Sequence, residues 1–351
     1  MTIVAGWDIG GAHLKFARVE NGRVVLVRQV PCPLWLGVEH LHDALSDAMP
    51  ELKGATVHAA TMTGELAEVF PHRAEGVARI VETLAHALPE GQLNIYGGRA
   101  GILTPEEAPA RWLDVASANW HASAALAAAL CPEALFVDVG STTTDIVPIT
   151  DRAVAADGYT DSERLQTGEL VYTGVMRTSL MALAAEVPFA GVKQRVTAEN
   201  FSTTADIYRL TGELAAEDDQ YPASDGRGKS PEECRARLAR MLGRDAADTG
   251  LYTSSSLAWN QLARYFRERQ LGLLYDAAAQ ALSGAPLGEN APIIGAGAGH
   301  VLARALAIRL ARPYMPFQSL FPHVESARHA AGVAAPAVAV ALLCVVDNQR
   351  L

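Results

Sequence analysis

Two short acidic stretches anchored by glycine carry the residue types that grip phosphate. The first is Trp7-Asp8-Ile9-Gly10-Gly11-Ala12-His13; the second is Phe136-Val137-Asp138-Val139-Gly140-Ser141-Thr142-Thr143-Thr144-Asp145. A carboxylate at the end of a strand can coordinate a divalent cation or its water shell. The glycines beyond it let backbone N–H groups approach an anion with no Cβ in the way. Asp8 and Asp138 are therefore candidate metal ligands, and Gly10, Gly11, Gly140, Ser141, Thr142 and Thr143 are candidate phosphate binders. Lys15 lies two strand positions beyond His13 and adds a cation on the same side. A threonine run also suits plain strand structure, but the flanking Asp138, Gly140 and Asp145 favour the phosphate reading. Two such turns predict a duplicated fold with a polyphosphate between its halves.

A third stretch, Ile293-Ile294-Gly295-Ala296-Gly297-Ala298-Gly299, reads as a strand entering a helix through a flexible glycine turn. Backbone at such a helix start can meet an anion, so Gly295 and Gly297 join the candidate phosphate binders. The spacing is not the dinucleotide fingerprint.

The elements that must position these residues follow from hydropathy and turn chemistry. Ile3 to Ile9, Leu14 to Val19 and Val24 to Val30 read as strands, with Asn21-Gly22 as a two-residue hairpin turn. Helices are expected over His40 to Met49, Arg73 to Leu88 and Ala118 to Leu130, the last with Asn119 as its N-cap. Thr56 to Ala60 and Leu93 to Tyr96 read as strands between them. A second round starts with strands at Ala134 to Val139 and Thr144 to Ile149, so the two rounds share an architecture but not a sequence. Residues 161–260 are richer in charge and read as a mostly helical elaboration with one long functional or mobile loop around 217–231. The α/β pattern returns at Ala291 to Ile294 and His300 to Leu310.

The chain has 351 residues, enough for two domains, expected at 1–130 and 131–351. Half of the residues are hydrophobic, 19% are charged, and the formal charge is −10, which excludes a general attraction to nucleic acid or anionic lipid. Cys32, Cys131, Cys234 and Cys344 are scattered without metal or redox spacing, as suits reduced thiols in cytoplasm. The N-terminal residues lack a basic leader, so no signal peptide is expected. The apolar run from Ala330 to Val346 contains Pro336 and reads as a buried C-terminal helix.

The three glycine stretches together resemble the two phosphate segments and the adenosine segment of the actin, sugar kinase and Hsp70 superfamily. That resemblance implies an α/β, ribonuclease H-like fold of actin type, with two lobes around a central cleft. Sugar kinases of the superfamily carry a Thr-Asn or similar pair after the first glycines, where this chain has Ala12-His13; the departure argues against nucleotide hydrolysis. Further stretches are more specific. Ala116-Ser117-Ala118-Asn119-Trp120, Arg164 to Val175, Thr204 to Leu214 and Asp225-Gly226-Arg227-Gly228-Lys229 are similar to the hydantoinase/oxoprolinase-like branch, and within it to proteins linked to tetrahydromethanopterin-dependent one-carbon transfer.

The resemblance implies a transferase of methanofuran assembly. It would join an aminomethylfuran-methyl diphosphate to the phenol of a glutamyl-tyramine or glutamyl-tyrosine, with release of diphosphate. Mg²⁺ on Asp8 and Asp138 would neutralise the leaving group, and turn amides would hold its oxygens. The phenol must lose a proton, and Glu169, Asp145 and His13 are the candidate bases. Lys15 and Arg99 would counter phosphate charge, Lys229 would close over it, and Tyr172 and Trp120 are candidates to stack on aromatic rings. The partners are then small molecules, with no nucleic acid or membrane and a homo-oligomer open. A kinase or ATPase of the hydantoinase/oxoprolinase type, and a non-catalytic nucleotide-binding protein, are the competing readings.

Overall fold

The computed structural model describes residues 2–88, 91–249, 254–285 and 287–348. The chain opens with β1 (Ile3–Ile9), β2 (His13–Glu20), β3 (Arg23–Pro31), α1 (Glu39–Ala48), β4 (Val57–Met62), α2 (Arg73–Ala87), β5 (Gln92–Tyr96), β6 (Ile102–Leu103), α3 (Trp112–Val115) and α4 (Asn119–Leu130). It continues with β7 (Ala134–Val139), β8 (Thr144–Thr150), β9 (Ala153–Val154), α5 (Asp161–Thr167), β10 (Leu170–Val171), β11 (Glu186–Phe189), β12 (Val192–Arg195), α6 (Thr204–Thr211), α7 (Pro231–Arg240) and α8 (Ser255–Gly284). It closes with β13 (Ile293–Ala296), α9 (His300–Arg309), β14 (Tyr314–Pro316), α10 (Arg328–Val333) and α11 (Ala335–Asn348).

The first sheet has the order β3-β2-β1-β4-β5-β6, and the second has β10-β8-β7-β13-β14 with β9 paired to β8. Asn21 and Gly22 both take positive φ, 49° and 78°, as the expected tight hairpin turn requires. Strand β1 runs antiparallel to β2 and parallel to β4, and its register sets Asp8 opposite both Lys15 and Thr61.

The chain divides into two compact units. One comprises Met1–Phe136, Val147–Glu163 and Met315–Leu351; the other comprises Val137–Ile146 and Arg164–Tyr314. The first unit thus takes in the C-terminal segment, which the sequence reading places in the second lobe. Its physical basis is close packing of α11 on β1: a Cβ on Gly6 would lie 2.0 Å from the Ala337 carbonyl oxygen. The core of this unit gathers Trp7, Ile9, Leu14 and Phe16 from the first hairpin with Leu41, Leu45, Ile80 and Leu84 from the helices. Among the described residues no single helix is long and apolar enough to cross a membrane; α10 and α11 pass such a test only as a pair bent by 108°. Ala335 to Ala341, Pro336 included, are buried within the unit, as expected of a core helix.

Three local expectations change. Asn119 is the first residue of α4 and not its cap; Ala118 stands at the cap position without a side-chain bond. Gly295 and Ala296 lie inside β13, so the flexible turn starts at Gly297, with φ +81°. The region 161–260 holds helices but also the hairpin β11–β12, whose turn residues Ala190 and Gly191 have φ of 52° and 80°. Alanine seldom takes that conformation, which hides the hairpin from a turn-residue search.

Candidate functional site

The two acidic turns share one construction. In the first, the Gly10 N–H donates to the His13 carbonyl at 3.0 Å; in the second, the Gly140 N–H donates to the Thr143 carbonyl at 2.9 Å. Each turn therefore consumes the amide of its leading glycine. The N–H groups of Gly11 and Ala12, and of Ser141 and Thr142, make no bond within the described residues. Donors for an anion thus stand one position later than the glycine itself. Around Gly11 a Cβ would meet nothing within 4 Å, whereas at Gly10 it would lie 2.9 Å from the His13 carbonyl oxygen.

Asp8, at the end of β1, is buried, with Lys15 Nζ 3.9 Å from its Oδ2. Burial raises its pKa above the ordinary carboxylate value; Lys15, and a hydrogen bond from the Asn119 side chain, offset part of that rise. Its Oδ1 has no hydrogen-bond partner. A buried, unpartnered carboxylate oxygen suits a hard cation such as Mg²⁺ or the water such an ion carries. No group of three or more His, Cys, Asp or Glu side chains able to hold a metal forms among the described residues.

In the second unit, Asp138 ends β7 and Gly297 is pressed against it. A Cβ at Gly297 would lie 2.3 Å from Asp138 Oδ1 and from the Val139 carbonyl oxygen. The Gly299 N–H donates to that same carbonyl at 2.8 Å. Gly297 therefore lets the entry to α9 sit directly on the acidic strand end. Gly295 does something else: it makes room for the Tyr314 ring, whose Cε2 a Cβ would meet at 2.6 Å. The turn at 140–143 is clasped by residues 174–177. The Val175 N–H donates to Gly140, and those of Met176 and Arg177 donate to Ser141, each at 3.0 Å. Gly174 permits this, since a Cβ there would lie 2.5 Å from three backbone atoms of Gly140, Ser141 and Thr142. Ser141 Oγ and Thr142 Oγ1 are 3.4 Å apart, and Thr144 turns inward to the Thr173 carbonyl at 2.7 Å.

The three candidate bases occupy different settings. Arg164, fully buried, pairs with Asp145 at 2.9 Å and donates to the Glu169 carbonyl at 2.9 Å. The Glu169 carboxylate is buried and accepts from Thr167 Oγ1 at 2.8 Å. His13 begins β2, partly exposed, at the close of the first turn. Lys229 is engaged elsewhere: it donates to the Asp219 carbonyl at 2.6 Å and pairs with the Asp219 carboxylate at 3.2 Å. Arg209 grips the same carboxylate, so ion pairs tie the 217–231 loop to α6. Arg99 lies 4.9 Å from the centroid of the Tyr159 ring and donates to the Ala156 carbonyl. Trp120 is buried beside His121 and Tyr159, while Tyr172 is exposed.

The family model described as hydantoinase/oxoprolinase matches residues 56–342. The chain belongs to the hydantoinase/oxoprolinase family. A Methanocaldococcus jannaschii protein named (4-{4-[2-(gamma-L-glutamylamino)ethyl]phenoxymethyl}furan-2-yl)methanamine synthase is 34% identical over 270 residues, covering 76% of this chain and 80% of that protein. A Methanococcus vannielii protein of the same name is 36% identical over 108 residues, 31% of this chain and 48% of that protein. Among solved structures, nucleotide-free acetone carboxylase superposes with a TM-score of 0.57 at 11% identity, over 97% of this chain and 70% of that one. That likeness concerns the fold alone, which is the expected α/β fold of the actin-like ATPases.

In this member of the hydantoinase/oxoprolinase family, sequence reasoning passed over one polar cluster. Glu65 follows β4 and is 1% exposed, with Oε1 accepting from Ser117 Oγ at 2.9 Å and Oε2 without a partner. Ser117 takes a positive φ of 53°, unusual for a residue with a side chain. Its hydroxyl also lies 3.5 Å from Asp161, which pairs with Arg73 at 2.7 Å. The stretch containing Ser117 carried the family resemblance, but nothing around Glu65 in the sequence marks it.

Proposed function

We propose that this protein forms an aryl ether by transferring a furan-methyl group from its diphosphate ester to a phenol. The reading is carried by the 34% identity over 76% of the chain to a protein named for a phenoxymethyl-furan methanamine. Such a product contains a bond between a phenolic oxygen and a methylene on the furan. A displacement accounts for it: the phenol oxygen bonds to the methylene, the methylene–oxygen bond to diphosphate breaks, and the phenolic proton passes to a base. The furan ring spreads positive charge from the methylene, so the protein's main task is to hold the leaving diphosphate.

The free amides of Gly11, Ala12, Ser141 and Thr142, with the Ser141 and Thr142 hydroxyls, supply donors to oxygens on which charge develops. Mg²⁺, held by Asp8 and Asp138, would neutralise diphosphate charge. The acceptor phenol, with a pKa of about 10 in water, gives its proton to Glu169, Asp145 or His13. A glutamyl-tyramine or glutamyl-tyrosine is the acceptor class this reading assigns.

Incubation of the purified protein with the aminomethylfuran-methyl diphosphate, Mg²⁺ and glutamyl-tyramine or glutamyl-tyrosine tests the proposal. Coupled product and diphosphate in equal amounts are expected. Intact ester after prolonged incubation with both acceptors would refute it.

A further inference from the structure

We propose that Glu65 and Ser117 form a subsite for a primary ammonium group, which in the reaction above, on whose reading this assignment rests, is the aminomethyl arm of the furan. The cluster lies wholly within the first unit. Glu65 is buried to 1% exposure, and no cation bonds it among the described residues. The nearby guanidinium of Arg73 is already taken by Asp161 at 2.7 Å. Counting Glu65 and Asp161 against Arg73, the ionised cluster is one positive charge short. A buried carboxylate without a counter-charge is costly, and it is relieved by a proton or by a cation.

The geometry favours an external cation. Ser117 Oγ donates to Glu65 Oε1 at 2.9 Å, which leaves Oε2 as a free acceptor and the serine oxygen with a lone pair to offer. Ligands of open α/β sheets bind beyond the carboxyl ends of strands. An ammonium brings three N–H donors and a charge, matching acceptors that the protein itself leaves unused.

The cluster is built at some structural expense. Ser117 is held at φ 53°, a strained state that persists only where surrounding structure enforces it. Helix α2 sits directly on the Glu65 backbone through Gly76, where a Cβ would lie 2.7 Å from the Glu65 carbonyl oxygen. Burial also raises the Glu65 pKa, so an arriving cation offsets the same desolvation that favours the proton.

The experiment compares two furan-methyl diphosphates, one with an aminomethyl arm and one with a hydroxymethyl arm. Binding is measured by calorimetry with the phenolic acceptor omitted. Wild type is expected to bind the amine about 10- to 100-fold more tightly, the range of a charge-assisted hydrogen bond. Glu65→Gln should shrink that preference to about threefold or less, with most of the loss on the amine. Ser117→Ala should reduce it partially, and this variant carries the test if Glu65→Gln does not fold. Equal wild-type affinities, no binding of either ester, or an equal loss on both esters in Glu65→Gln would overturn the assignment; the last outcome would give Glu65 a proton-transfer or structural role. Preference for the amine without any coupled product would instead retain the subsite and remove the transferase reading.

Discussion

Gly174→Ala tests whether residues 174–177 set the shape of the second phosphate turn. The new Cβ would stand 2.5 Å from the Gly140 carbonyl oxygen, Ser141 C and Thr142 N. Ordinary contact starts at 3.4 Å, so these backbone atoms must retreat by roughly 0.9 Å. They cannot rotate away as a side-chain tip would. The retreat pulls against three hydrogen bonds of 3.0 Å from Val175, Met176 and Arg177. At about 1 kcal/mol each, and in line with overpacking of a dense interior, the expected destabilisation is about 2–3 kcal/mol. For a chain of 351 residues the melting temperature should fall by about 3–4 °C. A displacement of about 1 Å at a binding turn lowers turnover on the order of 100-fold, and affinity for inorganic diphosphate should fall with it. Gly272→Ala is the control: Gly272 lies in α8 with nothing within 4 Å of its would-be Cβ. It should gain about 0.5–1 kcal/mol from helix propensity and leave the turn untouched. Differential scanning fluorimetry, diphosphate calorimetry and the coupled assay read all three effects. A Gly174→Ala protein with wild-type melting and wild-type diphosphate affinity would show that the clasp does not shape the turn.

Asp8→Asn should abolish metal-dependent diphosphate release while the fold persists, because its loss leaves Lys15, partly exposed, free to reach water; circular dichroism beside the coupled assay checks it, and a wild-type rate would remove Asp8 as a metal ligand. Glu65→Gln should raise thermal stability at neutral pH. Burial lifts the folded pKa above the ordinary 4.5, so the folded chain retains the proton longer than the unfolded one, and wild-type stability falls as pH rises through that window. The advantage of the variant should shrink toward about pH 4, and a melting series that finds Glu65→Gln less stable near neutrality would refute the uncompensated charge. Arg164→Met should cost about 3 kcal/mol, since it strands Asp145 beside an apolar side chain and removes a donor from the Glu169 carbonyl; chemical denaturation with a shift under about 1 kcal/mol would count against it.

Sequence carried the local features of the candidate site and little of its tertiary support. Asp8 with Gly10-Gly11 and Asp138 with Gly140 were legible because a strand, a carboxylate and glycine are contiguous in each case. Their common Gly-to-third-residue hydrogen bond was not, and it moves the free donors to Gly11, Ala12, Ser141 and Thr142. Gly174 stood inside a stretch marked by resemblance, yet its purpose depends on the backbone of residues about 30 positions earlier in the chain. Glu65 was invisible for the same reason. Its burial comes from Gly76 on α2 and its orientation from Ser117 before α4, neither adjacent in sequence. Lys229 is the opposite case: its loop reads as functional or mobile and the lysine as one that would close over phosphate, whereas Asp219, ten residues back, holds it.

Partnering separates the buried charges that hold this molecule together from those that can receive a ligand. Arg237 is fully buried and its guanidinium is spent on Asp206, Asp225 and the Gly228 carbonyl, with bonds of 2.7–3.1 Å. Asp206 in turn takes bonds from Ser202 and the Thr203 N–H, so the capping box of α6 and the 225–228 loop are locked by one network. Such a network leaves little to offer a ligand, and a buried pair of this kind loses several kcal/mol when one member is removed. Asp8 and Glu65 are buried to a similar degree but each keeps one oxygen without a partner. Both have pKa values raised above the ordinary range, with desolvation as the largest cause. A chain selected only for stability would replace such groups or pair them. Asp8 near the end of β1, beside a turn with two free amides, and Glu65 just after β4 are the carboxylates that the proposed metal ion and ammonium would meet. The quantity that decides between scaffold and site is therefore the sign of the stability change on neutralisation: negative for Arg237 and positive for Glu65.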